Sequence, residues 1–380
     1  MVDPETPAVP ASAAAEQAEH PLAPYDAVLL QSFGGPEGPD EVLPFLRRVT
    51  AGRGIPDERL VEVGAHYQLF DGVSPINGLN RRLLSDLATE MEQRGCSLPV
   101  ALGNRHTDPF VGDTLADLAA GGAHRVLAVT TSAWRCWSSC RQYREDLAKG
   151  VDAAGVDLQI DKVRPYGEHP AVAGTWARLL TDAVRPLVEQ GIRPHLLFVT
   201  HSIPESMDET SGPGDGEGRA YSRDQVALAR ALVAEVSTAL GVELDGGLSF
   251  CSRSGPPHVP WLEPDVGDRI TELAAEGVEH VVVAPTGFVS DHMEVVYDLD
   301  TEAAETAAEV GIGFTRVDTP QPTSSFVAGL VDLMLERAAE ARGEEPVRVT
   351  WRDLDSHPSV CPPGCCPNLS TAAPALCGQD

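Results

Sequence analysis

Lysine is nearly missing from this chain, which has only Lys149 and Lys162. Basic residues number 28 against 57 acidic ones, for a formal net charge of −29. Aromatic residues make up 5%. No apolar run reaches the roughly 20 residues that a membrane-spanning helix needs. So strong an excess of negative charge argues against a nucleic-acid backbone or an anionic lipid surface as partner. Residues 1–24 lack the basic start and apolar centre of a secretory signal and read as a disordered Pro/Ala tail. The expected location is therefore the cytoplasm. A hydrophobic share of 42% over 380 residues supports about two cored domains.

Eight cysteines in a reducing compartment are not read as disulfides. Cys361, Cys365, Cys366 and Cys377 crowd into the last twenty residues, while Cys96, Cys136, Cys140 and Cys251 lie upstream.

Four short, continuous apolar runs have the character of parallel strands covered on both faces: residues 25–31, 124–131, 195–200 and 280–285. Helical spacing marks residues 78–94, 226–240 and 266–275. Alternating strands and helices predict an α/β fold of βαβ units. VLLQSFGGP is loosely echoed by LLFVTHSIP, and HRVLAVTTSAW by HVVVAPTGFVS, which suggests two similar domains. The expected division is 25–170, 171–342 and a cysteine-containing extension 343–380, Pro-rich and with little apolar surface.

Ligands of open α/β sheets bind beyond the carboxyl ends of strands. That rule singles out Phe33, Ser132, His201 and Phe288. The turn SFGGPEGP could cradle a phosphate, but it matches neither dinucleotide-binding nor P-loop spacing and has no Lys. It reads better as a tight turn at a cleft edge. His201, at a strand end, can take a proton near pH 7 or bind a divalent metal. Glu294, Asp298 and Glu302 recur every four residues. On an α-helix they would make an acidic line about 12 Å long, either a solvated face or a ladder of oxygen ligands for a hydrated cation.

Five segments, LLQSFGGPEGPDEV, YQLFDGVSPINGLN, FVTHSIP, PWLEPDV and GFVSDHMEVVYDLDTEA, together resemble the ferrochelatase family. The resemblance implies two Rossmann-like domains, each a parallel four-stranded sheet flanked by helices, with a porphyrin cleft between them. It implies insertion of Fe2+ into a porphyrin, with His201 as catalytic residue and Glu294 as its partner, both contacting the substrate iron. Asp298 and Glu302 become a path for metal or protons. Phe33, Arg53, Ser74, Ser132 and Tyr143 become porphyrin contacts, although some relatives place Tyr where Phe33 stands. The acidic, Arg-rich composition is similar to the Gram-positive branch, which acts on coproporphyrin. Its four propionates call for more cationic partners, and Arg47, Arg48 and Arg53 could supply them. Protoporphyrin is the alternative substrate; a cobalt chelatase of corrin synthesis and a non-catalytic tetrapyrrole carrier are the alternative functions. Some members hold a [2Fe–2S] cluster on one internal and three C-terminal cysteines, here Cys140, Cys361, Cys365 and Cys366, with Cys136 and Cys377 as competing ligands and zinc as the competing metal. The implied partners are the porphyrin, Fe2+ and other haem-pathway enzymes.

Overall fold

The computed structural model describes residues 20–321 and 323–379. Its first sheet holds β1 (Ala27–Ser32), β2 (Val100–Asn104), β3 (Arg125–Thr130) and β4 (Gln159–Lys162), and its second holds β5 (His195–His201), β6 (Gly246–Cys251), β7 (His280–Ala284) and β8 (Gly313–Arg316). Both are parallel and share one topology, β2-β1-β3-β4 and β6-β5-β7-β8. The four apolar runs are the inner strands of each sheet. Helices cover both faces there, so every side chain of β1 is buried and must be apolar or satisfied. The edge strands are shorter or more polar, as in QIDK of β4 and the Gly-Gly start of β6, and alone they carry little strand signal. The sequence echo pairs β1 with β5 and β3 with β7, which occupy equivalent places.

One core runs through both halves, with Leu30, Val129, Phe198 and Val282 among its buried members. The helix Ser324–Ala341 helps to weld it. Thr323 caps its start by accepting from the Phe326 N–H, and Phe326, Leu330, Met334 and Ala338 then form one buried stripe. Each large apolar side chain so buried contributes about 1.5–3 kcal/mol. The stripe packs on the helices Ile76–Gln93 and Pro170–Glu189. Ion pairs add direction: Arg94–Asp332 at 2.5 Å, Arg337–Asp161 at 2.5 Å and Arg164–Glu336 at 2.7 Å. The last helix therefore bridges the two halves, packing on a helix of each.

Residues 1–19 of the expected tail lie outside the described residues. Residues 20–24 do not fit that expectation: they form a turn whose Leu22 is fully buried against the core. The extension from residue 343 forms no helix or strand among the described residues, yet polar anchors hold it. Arg164 Nη2 donates to Val349 O at 2.8 Å, Trp351 N–H to Glu168 O at 2.8 Å, and Arg144 Nε to Leu376 O at 2.6 Å. Trp351 and Leu354 also pack against the core. The extension thus has more hold than its composition suggests. No helix among the described residues is long and apolar enough to cross a membrane.

Candidate active site

The carboxyl ends of the two sheets bring the site together. His201 closes β5, in register with Cys251 at the end of β6. Its Nδ1 lies 2.5 Å from Ser202 O. A carbonyl only accepts, so Nδ1 carries a hydrogen, and in the neutral ring Nε2 keeps its lone pair. That Nε2 lies 3.6 Å from Glu294 Oε2, an ion-pair separation longer than a hydrogen bond. Burial draws the His201 pKa down, but the facing Glu294 carboxylate outweighs it and leaves the imidazole above its ordinary value. Glu294 mirrors this: burial pushes it up, His201 outweighs that, and the carboxyl ends below its ordinary value.

Glu294 stands on the short helix Met293–Val296, capped by His292, whose Nδ1 accepts from Val295 N–H at 3.4 Å. The acidic line does not continue as an α-helix. Residues Tyr297–Ala303 form a π-helix, with Leu299 and Ala303 buried on its inner side. Asp298 turns inward and accepts the Ser252 hydroxyl at Oδ2. Burial first, and the Glu294 charge next, push the Asp298 carboxyl up to about 7. Glu302 is exposed. Arg316 braces the segment through Asp300 at 3.1 Å and through Asp291.

The other expected contacts spread over the first half. Phe33 stacks edge-on against His106 at 4.6 Å and Phe45 at 6.1 Å. Tyr143 is buried with Arg105 over its ring at 4.9 Å. Ser74 is buried and accepts the Met293 N–H at 3.2 Å, next to Glu294 and across the two halves. Ser132 is part-exposed, with its carbonyl taking the Thr130 hydroxyl at 3.1 Å. Phe288 packs on the second-sheet core with its ring 5.2 Å from His292. Arg47 pairs with Asp57 at 2.5 Å, and Arg48 Nε donates to His106 O at 2.6 Å. Arg53 is exposed and makes no ion pair among the described residues. His66 stacks on Tyr297 with centroids 4.0 Å apart, so a helix of the first half meets the acidic segment of the second.

The ferrochelatase family model matches residues 25–338. This chain belongs to the ferrochelatase family. It is 48% identical to the coproporphyrin III ferrochelatase of Streptomyces griseus over 94% of this chain and 97% of that one. It is 46% identical to the coproporphyrin III ferrochelatase of Leifsonia xyli over 98% of each. Among solved structures, SirB from Bacillus subtilis with Fe3+ aligns with 83% of this chain and 97% of its own at 12% identity and a TM-score of 0.49.

Away from His201, Cys140, Cys361, Cys365 and Cys366 form one buried cluster. Cys365 Sγ and Cys366 Sγ are 3.9 Å apart, and Gly212 N–H donates to Cys366 Sγ at 3.3 Å. Among the described residues no group of three or more His, Cys, Asp or Glu is arranged as a metal site. The donor chemistry nevertheless suits a thiolate-bound group: four sulfurs, no carboxylate, and burial. The bond to Cys361, and then burial, hold the Cys140 thiol far above its ordinary pKa, so ionised sulfurs here need a cation among them. Cys377 sits elsewhere, donating to Ile160 O at 3.2 Å, and burial pushes it up to about 12. Cys136 bonds Ser138 and Ser139 and packs in the main core.

Sequence reasoning marked 252–264 as a functional loop but gave Ser252 no role of its own, and it missed Tyr221. Ser252 follows β6, whose weak signal hid the strand end. The Tyr221 hydroxyl donates to His201 O at 2.9 Å from a helix expected to begin only at residue 226 but running Ala220–Leu240.

Proposed function

We propose that this chain inserts Fe2+ into coproporphyrin III to give Fe-coproporphyrin III in haem synthesis. The observation that carries the reading is His201 Nε2, which bears the lone pair in the neutral ring, facing Glu294 at 3.6 Å. A porphyrin resists metal entry because two pyrrole N–H groups fill its centre. Binding energy from its edges offsets the cost of bending it until the nitrogens are exposed. His201 Nε2 accepts the two pyrrole protons in turn, passing the first on before it takes the second, and Glu294 stabilises the imidazolium formed each time. Asp298, with its pKa near neutrality, relays that proton or holds the incoming iron, and Glu302 is the outer station of the same path. Phe33, Ser74, Ser132 and Tyr143 contact the macrocycle in this reading. Arg53, without a carboxylate partner, is free for a propionate. The identity to the two coproporphyrin III ferrochelatases supports the choice of porphyrin.

Cys140, Cys361, Cys365 and Cys366 would hold a [2Fe–2S] cluster. Such a group supplies the positive charge that lets four adjacent thiols ionise, together with one-electron redox capacity. The four cysteines fasten the extension to the first half, and their reduced thiols together with Fe2+ suit a cytoplasmic setting. Enzymes that make the porphyrin or consume its iron complex are the expected partners.

Anaerobic turnover with coproporphyrin III and protoporphyrin IX side by side tests the reading. The expected result is a kcat/KM higher for coproporphyrin III. A preference for protoporphyrin IX would move the substrate, and no insertion into either would remove the function.

A further inference from the structure

The orientation of His201 depends on Ser202, the residue that follows it. Ser202 O, the carbonyl of the Ser202–Ile203 peptide, accepts the ring Nδ1–H, so a rotation at Ser202 turns Nε2 with it. The peptide on the other side of the Ser202 Cα, His201–Ser202, is gripped on both edges and fixes Ser202 from that side. Ser202 N–H donates to Cys251 O at 2.8 Å, and the Tyr221 hydroxyl donates to His201 O at 2.9 Å. Tyr221 is buried, and its oxygen lies 2.7 Å from Thr200 Oγ1, which accepts from Gln225 Nε2 at 3.0 Å. Each hydroxyl has one hydrogen, so the directions are fixed: Gln225 donates to Thr200, Thr200 to Tyr221, and Tyr221 to His201 O.

The backbone of Tyr221 is held from another side. Its N–H donates to Ser211 Oγ at 3.0 Å, while Ser211 Oγ donates to Asp208 O at 2.7 Å. The next residue, Gly212, is tied to one cysteine of the cluster through both its N–H and its carbonyl. Gly212 N–H donates to Cys366 Sγ at 3.3 Å, and Cys366 N–H donates to Gly212 O at 3.0 Å. A continuous path therefore joins Cys366 to the carbonyl of His201 through Gly212, Ser211 and Tyr221. All four of those residues are buried. Water cannot replace a lost bond there without cost, so displacement at one end is carried to the other.

We propose that Tyr221 is a positioning residue for His201, and that Cys366 sets its place through Gly212 and Ser211. The cysteine cluster then acts on iron insertion through this path without touching the porphyrin. The inference rests on the function proposed above.

The test uses the full-length holoenzyme and two readouts. The first is anaerobic turnover with Fe2+ and coproporphyrin III. Tyr221→Phe keeps the ring and removes only the hydroxyl; kcat should fall about tenfold while the porphyrin KM stays within about twofold. Ser211→Ala should lower kcat in the same direction, and Ser211→Thr, which keeps a hydroxyl, should restore it. The double variant Tyr221→Phe/Ser211→Ala should lose no more than Tyr221→Phe alone, because both act on one path. Thr200→Val removes the donor to the Tyr221 oxygen and replaces Tyr221→Phe if that variant does not fold. The second readout is Co2+ alone, followed by visible absorption, with His201→Ala as the control expected to abolish the signal; its Kd should weaken about tenfold in Tyr221→Phe. A kcat and a Co2+ Kd both within twofold of wild type would overturn the positioning role. Strictly additive losses would overturn the link to Cys366. A wild-type enzyme that inserts iron into neither porphyrin would overturn the proposed function instead, and the Co2+ readout would still decide the role of Tyr221.

Discussion

Ser252 gives its hydroxyl to Asp298 from a backbone held at φ 60°, in the left-handed region. A non-glycine residue there costs roughly 1–2 kcal/mol, and the rest of the structure sustains that cost. What it gains is a donor at the strand end of β6, aimed at the most deeply set carboxylate of the acidic line.

Ser252→Ala and Ser252→Gly separate the two effects. Both lose the donor, so both should raise the KM for Fe2+ several-fold with little change in porphyrin KM. Only glycine relieves the backbone, so Ser252→Gly should be about 1 kcal/mol more stable than Ser252→Ala. Steady-state kinetics at varied iron, with chemical denaturation beside them, check both. Equal stability of the two variants would mean the backbone is relaxed as it stands.

Under the proposed function His201 and Glu294 bear on chemistry, whereas Asp298 and Glu302 bear on supply. His201→Ala and Glu294→Gln should lower kcat by at least a hundredfold at any iron concentration. Asp298→Asn and Glu302→Gln should fall short mainly at low Fe2+. A uniform loss in all four would end the distinction. The His201 pKa is raised in the folded protein, so its contribution to stability is present below about pH 6.5 and disappears as pH rises through the folded value. In Glu294→Gln the main raising partner is gone and burial is opposed only by the weaker pull of Ser202 O and Asp298, so the acid limb of any residual kcat/KM profile should move to lower pH.

How much of this was legible in the sequence follows from burial. The inner strands announce themselves because a strand covered on both faces must be apolar throughout, as AVLLQS of β1 nearly is. The edge strand β4, QIDK, faces solvent on one side and reads as loop. That His201 and Glu294 face each other was legible because His201 stands at a strand end, where such sheets gather their ligand-facing residues, and because the segment around Glu294 resembles a family. Ser252 was not, since β6 opens on two glycines. The π-helix was not either: its i to i+5 bonding arises from packing Leu299 and Ala303 while turning Asp298 inward, and no local propensity encodes that. Tyr221 lies about one helical turn before the expected helix start.

The buried pair Glu168 and His357 should make stability highest on the acid side of neutrality, between about pH 4.3 and 6.5. His357 Nε2 lies 3.5 Å from Glu168 Oε2 and 3.4 Å from Asp224 Oδ2. Arg135 pairs with Asp224 at 2.8 Å, and Arg164 contacts Glu168. Burial pushes Glu168 up to about 7, against the opposing pull of Arg164, and burial with the nearby arginines draws His357 down to about 3. A carboxyl with a raised pKa holds its proton only in the folded state between its unfolded value, about 4.3, and 7, so stability falls as pH rises through that window. A histidine with a lowered pKa stays neutral when folded while the unfolded chain takes up a proton, so stability falls as pH drops below about 6.5. Glu168→Gln should flatten the alkaline side of a plot of Tm against pH, and His357→Gln the acid side. Variants that shift both sides together would show that the two groups titrate as one unit.

The last prediction concerns Cys140 and its three partners. Protein purified without oxygen should be brown and carry about two iron and two sulfide per chain. Cys140→Ser and Cys361→Ser should lose both, while Cys96→Ser, Cys251→Ser, Cys136→Ser and Cys377→Ser should keep them, because none of those four sulfurs belongs to the buried cluster. Joining Cys140 to Cys361 closes a loop of about 220 residues, and the chain-entropy model sets its stabilisation on the order of 5 kcal/mol. That figure is an upper bound here. Arg144 on Leu376 O, Arg164 on Val349 O and Trp351 on Glu168 O already restrict the extension without metal. Loss of the cluster should therefore cost less than the model gives and leave residues near 350 protected from hydrogen exchange, while those around 361–377 open. Colourless protein with one zinc per chain would replace iron and sulfide with zinc on the same sulfurs. A Cys140→Ser variant that stays brown would move the upstream ligand to Cys136 or into the extension itself.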